Sequence, residues 1–438
     1  MSTKVPWLDL FPDRWGVRPS KSLFSESGER AHPSDEQLTA SQDYGVIPQK
    51  EFVRLAGRRV VQINQHLDKR KRVELDDFVI SMRSFQGGLE RAWSSGGIRS
   101  SYVVIKPNSE VVVGYFSRLF KSREYIQALQ ATAHFIRDGQ DLNFHNFTLI
   151  DLPLPPSEEQ TQIAKFLDYE TLRIDALIEK QQQLIVLLKE KRQAVISHAV
   201  TKGLNPDAPM RDSGVEWLGE VPAHWEVKQI RHITSQLGGG TPSKDNASFW
   251  DGDIPWVSPK DMKVDYIADS QDRVTEAAVT NSAAKLIPVG SVLIVVRGMI
   301  LDHSVPTALT SKRVTINQDM KALGPSGSLH GEFLLFVLKG IRDYLLSHTD
   351  SSAHGTKCLA TERLERTSIA VPGPDEQRDL VQGLKERLAR IDSLSESAND
   401  VSRLLQERRT ALISAAVTGK IDVRGWKAPE SSMEEVVA

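Results

Sequence analysis

Few residues in this sequence have types and spacing that could support catalysis. Asp261 and Lys263 show the D-x-K spacing of many nucleases, but so short a pattern occurs by chance in most chains. The stretch LGGGTPSK (residues 237–244) lacks the spacing of a phosphate-binding loop and is typical of a glycine turn. The histidines are scattered, and the single cysteine, Cys358, excludes a cysteine-based zinc site. We therefore expect no catalytic residues and no bound metal.

Basic and amide side chains instead suit the recognition of an anionic polymer such as DNA. Arg83 ends the apolar stretch DDFVISMR, Arg297 ends GSVLIVVR, and each precedes a glycine-bearing turn. A guanidinium at the exposed rim of a sheet can donate two hydrogen bonds to guanine in a groove. Each such residue can equally serve as a turn former or a solvated charge. The expected DNA-binding residues are Arg83, Gln86, Arg91, Arg99, Ser100, Ser101, Lys244, Lys260, Arg297, Lys312, Asn317, Gln318 and Lys357.

The overall charge is modest for a protein that binds DNA. The net charge is −2, and the most basic run is KRKR at residues 69–72. Because phosphate contacts usually dominate affinity for DNA, we expect strong binding only with a partner that supplies positive surface. The lone cysteine suits a reducing cytoplasm, and no stretch is apolar for long enough to suggest a signal peptide or a membrane span.

The elements that must position these residues occur twice in the chain. KEKRQAVISHAVTKGL (189–204) and QERRTALISAAVTGKI (406–421) are identical at half of their aligned positions. Further upstream, WLDLFPDRWGV (7–17) matches WLGEVPAHWEV (217–227). The offset between equivalent residues grows along the chain from 210 to 217, as expected for two copies that differ by small insertions. The sequence therefore predicts a duplicated domain, each copy followed by one long helix.

The two long helices share a heptad pattern that is typical of a coiled-coil seam. Ser157 and Asp375 precede Glu and Gln and are the expected N-caps. Each helix would be roughly 65 Å long at 1.5 Å per residue, and the chain order favours an antiparallel pair. The expected seam residues are Leu167, Ile174, Leu177, Leu184, Leu188, Leu384, Ile391, Leu394, Val401 and Leu405.

Short apolar and alternating stretches predict β-rich regions before each helix. RVVQI (59–63) and FVISMR (78–83) are examples in the first copy, and IPWVSP (254–259) is one in the second. We therefore expect an α+β fold with an internal pseudo-twofold repeat. The expected domains are the first β-rich region at 1–156, its helix at 157–204, a linker at 205–213, the second β-rich region at 214–373, its helix at 374–421 and a tail at 422–438.

This layout resembles the specificity (S) subunits of type I restriction–modification enzymes, the HsdS family. The resemblance rests on WLGEVPAHWEVKQI, GGGTPSKDNASFWDGDIPWVSPKDM, VPGPDEQRDLV and ERRTALISAAVTGKIDV, with LTASQDYGVIPQKEF and LPLPPSEEQTQIAKFLD in the first half. It implies two target recognition domains, each reading one half of a bipartite, asymmetric DNA target. It also implies an antiparallel coiled coil that sets their spacing. Recognition domains of this family vary, so the DNA-binding residues rest on the strand-end argument alone.

The resemblance further implies partners and the absence of catalysis in this chain. Two methyltransferase (M) subunits would dock on the helix pair, and restriction (R) subunits would bind the resulting complex. S-adenosylmethionine is expected in the M subunits, ATP and magnesium in the R subunits, and no cofactor in this chain. Two alternatives stay open: a coiled-coil adaptor without DNA contact, and a single-chain nuclease that uses Asp261 and Lys263.

Overall fold

Two compact units make up the chain. The computed structural model describes residues 6–58, 67–81, 83–132, 143–351 and 355–429. One unit comprises residues 1–182 with 400–438, and the other comprises residues 183–399. Each unit contains one β-rich region and parts of both long helices. The predicted α+β fold, with two β-rich regions and two long helices, is confirmed.

The first unit is built on a sheet whose strands lie in the order β2 (Phe24–Glu26), β9 (Val103–Pro107), β6 (Phe78–Ile80) and β7 (Glu90–Arg91). Its described strands are β1 (Gly16–Pro19), β2 (Phe24–Glu26), β3 (Leu38–Ser41), β4 (Gly45–Pro48), β5 (Lys71–Val73), β6 (Phe78–Ile80), β7 (Glu90–Arg91), β8 (Gly96–Ile98), β9 (Val103–Pro107) and β10 (Asp151–Leu154). Its described helices are α1 (Ser20–Leu23), α2 (Gln49–Ala56), α3 (Ser84–Gly87), α4 (Val113–Leu119), α5 (Arg123–Ala131), α6 (Phe144–Thr148) and the start of the long α7 (Ser157–Lys202).

The second unit is built on a sheet whose strands lie in the order β14 (Thr234–Gly238), β21 (Met320–Pro325), β18 (Val292–Val295), β19 (Thr307–Thr310) and β16 (Tyr266–Ile267). Its described strands are β11 (Met210–Asp212), β12 (Glu220–Pro222), β13 (Glu226–Gln229), β14 (Thr234–Gly238), β15 (Trp250–Val257), β16 (Tyr266–Ile267), β17 (Asp272–Val274), β18 (Val292–Val295), β19 (Thr307–Thr310), β20 (Thr315–Ile316), β21 (Met320–Pro325), β22 (Thr349–Ser351), β23 (Lys357–Leu359) and β24 (Ser368–Val371). Its described helices are α8 (Ile230–Ile233), α9 (Glu276–Asn281), α10 (Gly331–Gly340), α11 (Arg342–Ser347), α12 (Thr361–Arg366) and most of the long α13 (Pro374–Val417).

The central strands of the two sheets correspond in order and in register. The antiparallel set β2-β9-β6 matches β14-β21-β18, and the pair β1–β10 matches β13–β24. Phe78 faces Ile105 in the first sheet just as Val292 faces Leu323 in the second. All four residues are buried, because apolar runs on these strands have both faces covered. The repeat seen in the sequence is therefore a repeat of the fold.

Each unit buries the first predicted heptad series of the long helices. In the first unit Leu167 and Ile174 of α7 are buried, and in the second unit Leu188 of α7 and Leu384 and Ile391 of α13 are buried. Leu405 is half-buried. Side chains at seven-residue spacing lie on one helix face, so this series marks the buried face of each helix.

The second predicted series is wrong by one position. Leu177, Leu184, Leu394 and Val401 are exposed, at 48%, 42%, 57% and 41% respectively. The residue after each of the leucines on α7, Ile178 and Ile185, is buried or half-buried instead. The seam therefore follows a four-residue offset from the first series, and the exposed leucines form a separate face.

The C-terminal end of each long helix closes against a tryptophan. Gly203 follows α7 with φ +78° and lies beside Trp225, while Gly419 follows α13 with φ +71° and lies beside Trp15. Glycine adopts this left-handed conformation without the penalty that a Cβ brings, so it ends both helices. Trp426, in the expected tail, packs edge to face on Phe166, with ring centroids 5.4 Å apart.

Several local expectations differ from the structure. The helices begin at Ser157 and Pro374, so the expected N-caps Ser157 and Asp375 lie inside the first turns. Part of the expected linker, residues 210–212, forms β11 paired with β12. The predicted strand RVVQI and the last residues of the tail, 430–438, lie outside the described residues. Among the described helices, none has the length and apolar character needed to cross a membrane.

Candidate nucleic-acid interface

Three connecting segments meet at one edge of the sheet in the first unit. Glu26, the last residue of β2, pairs with Ile105, and Ile80, the last residue of β6, pairs with Val103 at the start of β9. Because these strands are antiparallel, the segments after Glu26 and Ile80 and before Val103 emerge together. We call this side of the sheet, where strands β2 and β6 end and β9 begins, the first rim. Its described residues are Ser27, Ser81, 83–88 and 99–102.

The first rim brings together several of the residues predicted to bind DNA. Arg83, Gln86, Arg99, Ser100 and Ser101 are all exposed there. Arg83, Arg99 and Ser101 line one cavity of about 590 Å³. In the described parts of the chain the Arg83 guanidinium has no hydrogen-bond or ion-pair partner, so it is available to an incoming anion or base edge.

The same cavity has three charged lining residues outside the predicted DNA-binding residues, namely Asp43, Arg58 and Glu90. Arg58 adds a guanidinium, and Glu90 adds a buried carboxyl group. Glu90 Oε1 lies 2.6 Å from Lys121 Nζ, and burial raises the pKa of Glu90 to about 7. Nothing in the local sequence GGLERAW marks this glutamate as buried, so sequence reasoning missed it.

Arg91 does not belong to this group. Arg91 faces Phe78, the first residue of β6, and therefore lies toward the opposite edge of the sheet from Arg83. Its guanidinium donates hydrogen bonds of 2.8 and 2.6 Å to Asp76 Oδ1 and lies 4.1 Å from the ring centroid of Trp93. Its charge is already paired, which is the physical reason for removing it from the expected site.

The basic run at residues 69–72 is largely neutralised by the fold. Arg70 is buried and donates three 3.0 Å hydrogen bonds to the carbonyl oxygens of His32, Pro33 and Asp35. Arg72 forms ion pairs with Asp35 at 2.8 Å and Glu74 at 2.7 Å, and these hydrogen bonds raise its pKa above the ordinary range. The run therefore stabilises a loop more than it offers charge to a ligand.

The second unit has an equivalent edge. Gly238, the last residue of β14, pairs with Lys321, and Val295, the last residue of β18, pairs with Met320 at the start of β21. The segments after Gly238 and Val295 and before Met320 thus meet, as in the first unit. We call this edge the second rim; its residues are 239–241, 296–304 and 317–319, with Lys357 beside them.

Arg297, Gln318 and Lys357 are held together at the second rim. The backbone N–H of Arg297 donates to Asp319 O at 3.2 Å, and that of Gly298 donates to Lys357 O at 3.0 Å. Gln318 is exposed, and its side-chain oxygen accepts a hydrogen bond from the hydroxyl of Thr241. Arg297 is exposed, and among the described residues its guanidinium has no partner.

Two residues expected at the second site already have partners within the chain. Asn317 is buried; its Nδ2 donates to Asp319 Oδ2 and its Oδ1 accepts from the Asp319 backbone N–H, each at 3.1 Å. Lys260 forms an ion pair of 2.8 Å with Asp272, and this hydrogen bond raises the pKa of Lys260. Asn317 shapes the turn, and its buried side chain does not lie on the exposed surface of the rim.

The remaining expected lysines lie apart from Arg297 or beyond the rim. Lys312 follows β19, whose residue Leu309 faces Val292 at the start of β18, so Lys312 lies at the opposite edge of the sheet. It lines a separate cavity of about 460 Å³ with Arg273 and Arg313. Lys244 is exposed in the loop after the second rim. The structure thus groups Arg297, Gln318 and Lys357 and separates Lys312 from them.

Asp261, the possible nuclease residue, serves a turn. Its Oδ2 accepts hydrogen bonds from Ser258 N and Oγ, both 2.9 Å, and its Oδ1 accepts one of 3.1 Å from Gln271 N. This is a capping box at the short 3₁₀ helix Pro259–Asp261. In the described parts of the chain, no group of three or more His, Cys, Asp or Glu residues could hold a metal ion.

Taken together, the fold and the two rims define a duplicated α+β protein in which each β-rich region presents an arginine whose guanidinium has no partner among the described residues. The chain belongs to the family described as type I restriction modification DNA specificity domain, whose sequence pattern matches residues 12–186 and 222–402.

Named relatives carry the same description. The chain is 37% identical over 183 residues to the specificity subunit of the type I restriction enzyme EcoR124I/EcoR124II from Escherichia coli. It is 30% identical over 195 residues to the MjaIX specificity subunit from Methanocaldococcus jannaschii. The two alignments cover 42% and 43% of this chain, and the chain spans 43% of the length of each relative.

Solved structures share the fold. A structure described as the basis of complex assembly and conformational transition of the type I R-M system matches with a TM-score of 0.68 and 17% identity, covering 94% of this chain and 99% of that one. The HsdS subunit from Thermoanaerobacter tengcongensis matches with a TM-score of 0.56 and 17% identity, covering 94% and 98%. At this identity the likeness concerns the fold alone.

Proposed function

We propose that this chain is the DNA-recognition subunit of a type I restriction–modification complex and that each β-rich unit reads one half of a bipartite, asymmetric target. One observation carries the proposal. Arg83 and Arg297, equivalent in the repeat, are both exposed and unpaired within the described residues, at the same edge of equivalent sheets. Two similar but unequal readers suit two unequal half-sites. In this proposal the β-rich regions span residues 1–156 and 214–373.

The paired helices would hold the M subunits. Exposed apolar side chains occupy equivalent positions on both long helices: Leu177 and Leu394, Leu184 and Val401, and Leu187 and Leu404. Large exposed apolar residues in a repeated pattern are typical of surfaces that another protein covers. Two identical M subunits would then bind equivalent faces and supply S-adenosylmethionine chemistry, while R subunits would bring ATP and magnesium. This chain would contribute recognition and no catalytic group.

The test uses the complex of the chain with its M subunits and a cognate duplex found by mapping methylated positions in the host genome. Arg83→Ala should relax base preference within one half-site only, and Arg297→Ala within the other. A bidentate arginine–guanine contact is worth about 1–3 kcal/mol of discrimination. Binding is measured on duplexes that carry single substitutions in each half-site.

One arginine variant and one lysine variant serve as controls. Arg91→Ala and Lys312→Ala remove a positive charge from the same units, but at the edges opposite the rims. They should leave base preference unchanged. If Arg83→Ala and Arg297→Ala weaken every duplex equally, the arginines contact phosphates. If the complex shows no salt-dependent binding to DNA, the adaptor alternative replaces this proposal.

A further inference from the structure

A short turn beside Arg297 exposes two large apolar side chains. The 3₁₀ helix Met299–Asp302, which we call the tip, begins two residues after Arg297. Met299 is 64% exposed and Ile300 is 43% exposed, whereas the next residue, Leu301, is buried in the core. Leu301 anchors the turn from below, so Met299 and Ile300 project at the second rim.

Backbone hydrogen bonds fix the direction of this turn. Gly298 has φ +138°, a conformation that residues with a Cβ rarely adopt, and its N–H donates to Lys357 O at 3.0 Å. The N–H groups of His303 and Ser304 donate to Ile300 O at 3.1 and 3.0 Å. The tip is therefore bonded on both sides and presents its two apolar groups as a preformed surface.

The surroundings of the tip narrow the chemistry of its partner. Arg297 precedes it, and Gln318 lies in the same rim. The Lys357 carbonyl accepts a hydrogen bond from Gly298 N, and the Lys357 ammonium lies 4.0 Å from Asp302 Oδ1, so Arg297 carries the unpaired positive charge among the described residues. A ligand that satisfies this surface carries negative charge and hydrogen-bonding edges, together with one apolar group. In the major groove of DNA, that apolar group is the C5-methyl of thymine.

The first rim differs at the same place. There Arg83 is followed by α3, in which Ser84 is buried, Phe85 is half-buried and Gln86 is exposed. The first unit thus presents an amide where the second unit presents Met299 and Ile300. An amide suits the hydrogen-bonding edge of a base, and an apolar pair suits a methyl group, so methyl recognition belongs to the second unit.

We propose that Met299 and Ile300 contact the C5-methyl group of a thymine in the half-site read by the second unit. This inference rests on the proposed DNA recognition and adds to it a specificity-determining contact. The thymine lies on either strand, within reach of the base pair that Arg297 contacts.

The experiment replaces each thymine of the cognate duplex, one at a time, by deoxyuridine, which lacks only the methyl group. With the complex of the full chain and its M subunits, one such replacement in the second half-site should weaken binding about four-fold, the factor for one methyl group removed from a buried contact. The Met299→Ala/Ile300→Ala variant should bind the thymine and deoxyuridine duplexes equally. Val289→Ala, which removes another exposed apolar side chain of the same unit, should keep the wild-type difference.

Each outcome decides the matter. Equal wild-type binding to all deoxyuridine duplexes, or a second half-site without thymine on either strand, overturns the methyl contact and leaves DNA recognition standing. Failure of the wild-type complex to prefer the cognate duplex over a scrambled one overturns the proposed function itself. If the double variant loses M-subunit assembly in size-exclusion chromatography, the tip contacts a protein subunit instead. If the variant binds all duplexes equally weakly and no longer bends the DNA, the tip inserts between base pairs as a wedge instead. Thermal unfolding of each variant establishes that the unit is folded.

Discussion

The guanidinium of Arg409 donates hydrogen bonds of 2.8 and 3.2 Å to the two carboxylate oxygens of Asp175, joining the long helices in the first unit. In the second unit Arg192 donates one of 2.9 Å to Asp392. Each residue of one pair is 217 positions from its counterpart in the other. The duplicated helices therefore keep one antiparallel register in both units, which local sequence identity alone could not establish.

Reversing one charge in this pair should destabilise the first unit modestly. Asp175→Arg places two guanidinium groups together, and because the pair is partly exposed the loss should be about 1 kcal/mol in free energy of unfolding. The exchanged variant Asp175→Arg/Arg409→Asp should recover most of the stability, as measured by urea denaturation. An exchange that fails to restore stability would show that the helices pair in another register.

Adjacent leucines on α7 should behave differently. Leu188 is 7% exposed and Leu187 is 60% exposed. Leu188→Ala should lower the free energy of unfolding by about 2–5 kcal/mol, as expected for a large-to-small change in a packed seam. Leu187→Ala should change it by less than about 0.5 kcal/mol.

The same two sites separate stability from assembly. If M subunits dock on the exposed face, Leu187→Asp should reduce their binding in a pull-down while the chain stays folded. Leu188→Asp should disrupt both stability and assembly. Unchanged stability and assembly in Leu188→Asp would contradict the seam.

A buried glutamine at the start of each long helix should be a strong determinant of stability. Gln377 donates to the carbonyl oxygens of Pro372 and Ser328 at 2.9 and 3.2 Å and accepts from His330 N at 2.8 Å. Gln377→Leu leaves these buried groups unpaired and should cost about 2–4 kcal/mol. The measurement is chemical denaturation, with Gln382→Leu, at an exposed position of the same helix, as the control.

The equivalent glutamine gives an independent check. Gln160 donates to Pro155 O and Glu110 O at 2.9 and 3.1 Å and accepts from Val112 N at 2.9 Å. Gln160→Leu should destabilise the first unit by a similar amount. A much smaller loss in either variant would mean that water replaces the lost hydrogen bonds.

The stability of the first unit should depend on pH through Glu90. Burial raises the pKa of this carboxyl from its ordinary value of 4.5 to about 7, so the folded state binds its proton more tightly than the unfolded chain. The associated stability is complete below pH 4.5 and is lost as pH rises through 7. Glu90→Gln, which is always neutral, should remove this decline, which is on the order of 2–3 kcal/mol. Denaturation from pH 4.5 to 8 measures it, with Glu51→Gln, at a side chain that is 44% exposed, as control. Parallel curves for Glu90→Gln and wild type would refute the assignment.

The repeat and the long helices could be predicted from the sequence because their signals are periodic and local. Heptad spacing identified Leu167 and Ile391 as positions on the buried face of their helices. It could not separate the seam from a second apolar face, because Leu177 and Leu394 are as apolar as any seam residue, whereas the seam in α13 uses small side chains such as Ala398. Which leucine is buried depends on tertiary packing, and the residue type alone does not determine it.

The rims were only partly predictable for a related reason. Strand ends located Arg83 and Arg297, whose exposure follows from chain geometry. The sequence shows that Arg70 and Asn317 are polar, but tertiary contacts turn both inward. Conversely, methionine is a residue type typical of cores, yet Met299 follows the positive-φ residue Gly298 and is 64% exposed.

The division of the chain into units has a consequence for biosynthesis. The second unit is continuous, residues 183–399, but the first also includes the segment that begins at Asp400. Ile413, Ala416 and Val417 fill the core that contains Trp15 and Tyr115, and the Val417 carbonyl accepts the Tyr115 hydroxyl at 3.0 Å. During synthesis on the ribosome, the first unit therefore cannot complete its core until the end of α13 has been made. The second unit completes its core earlier, although its β-rich region is synthesised later.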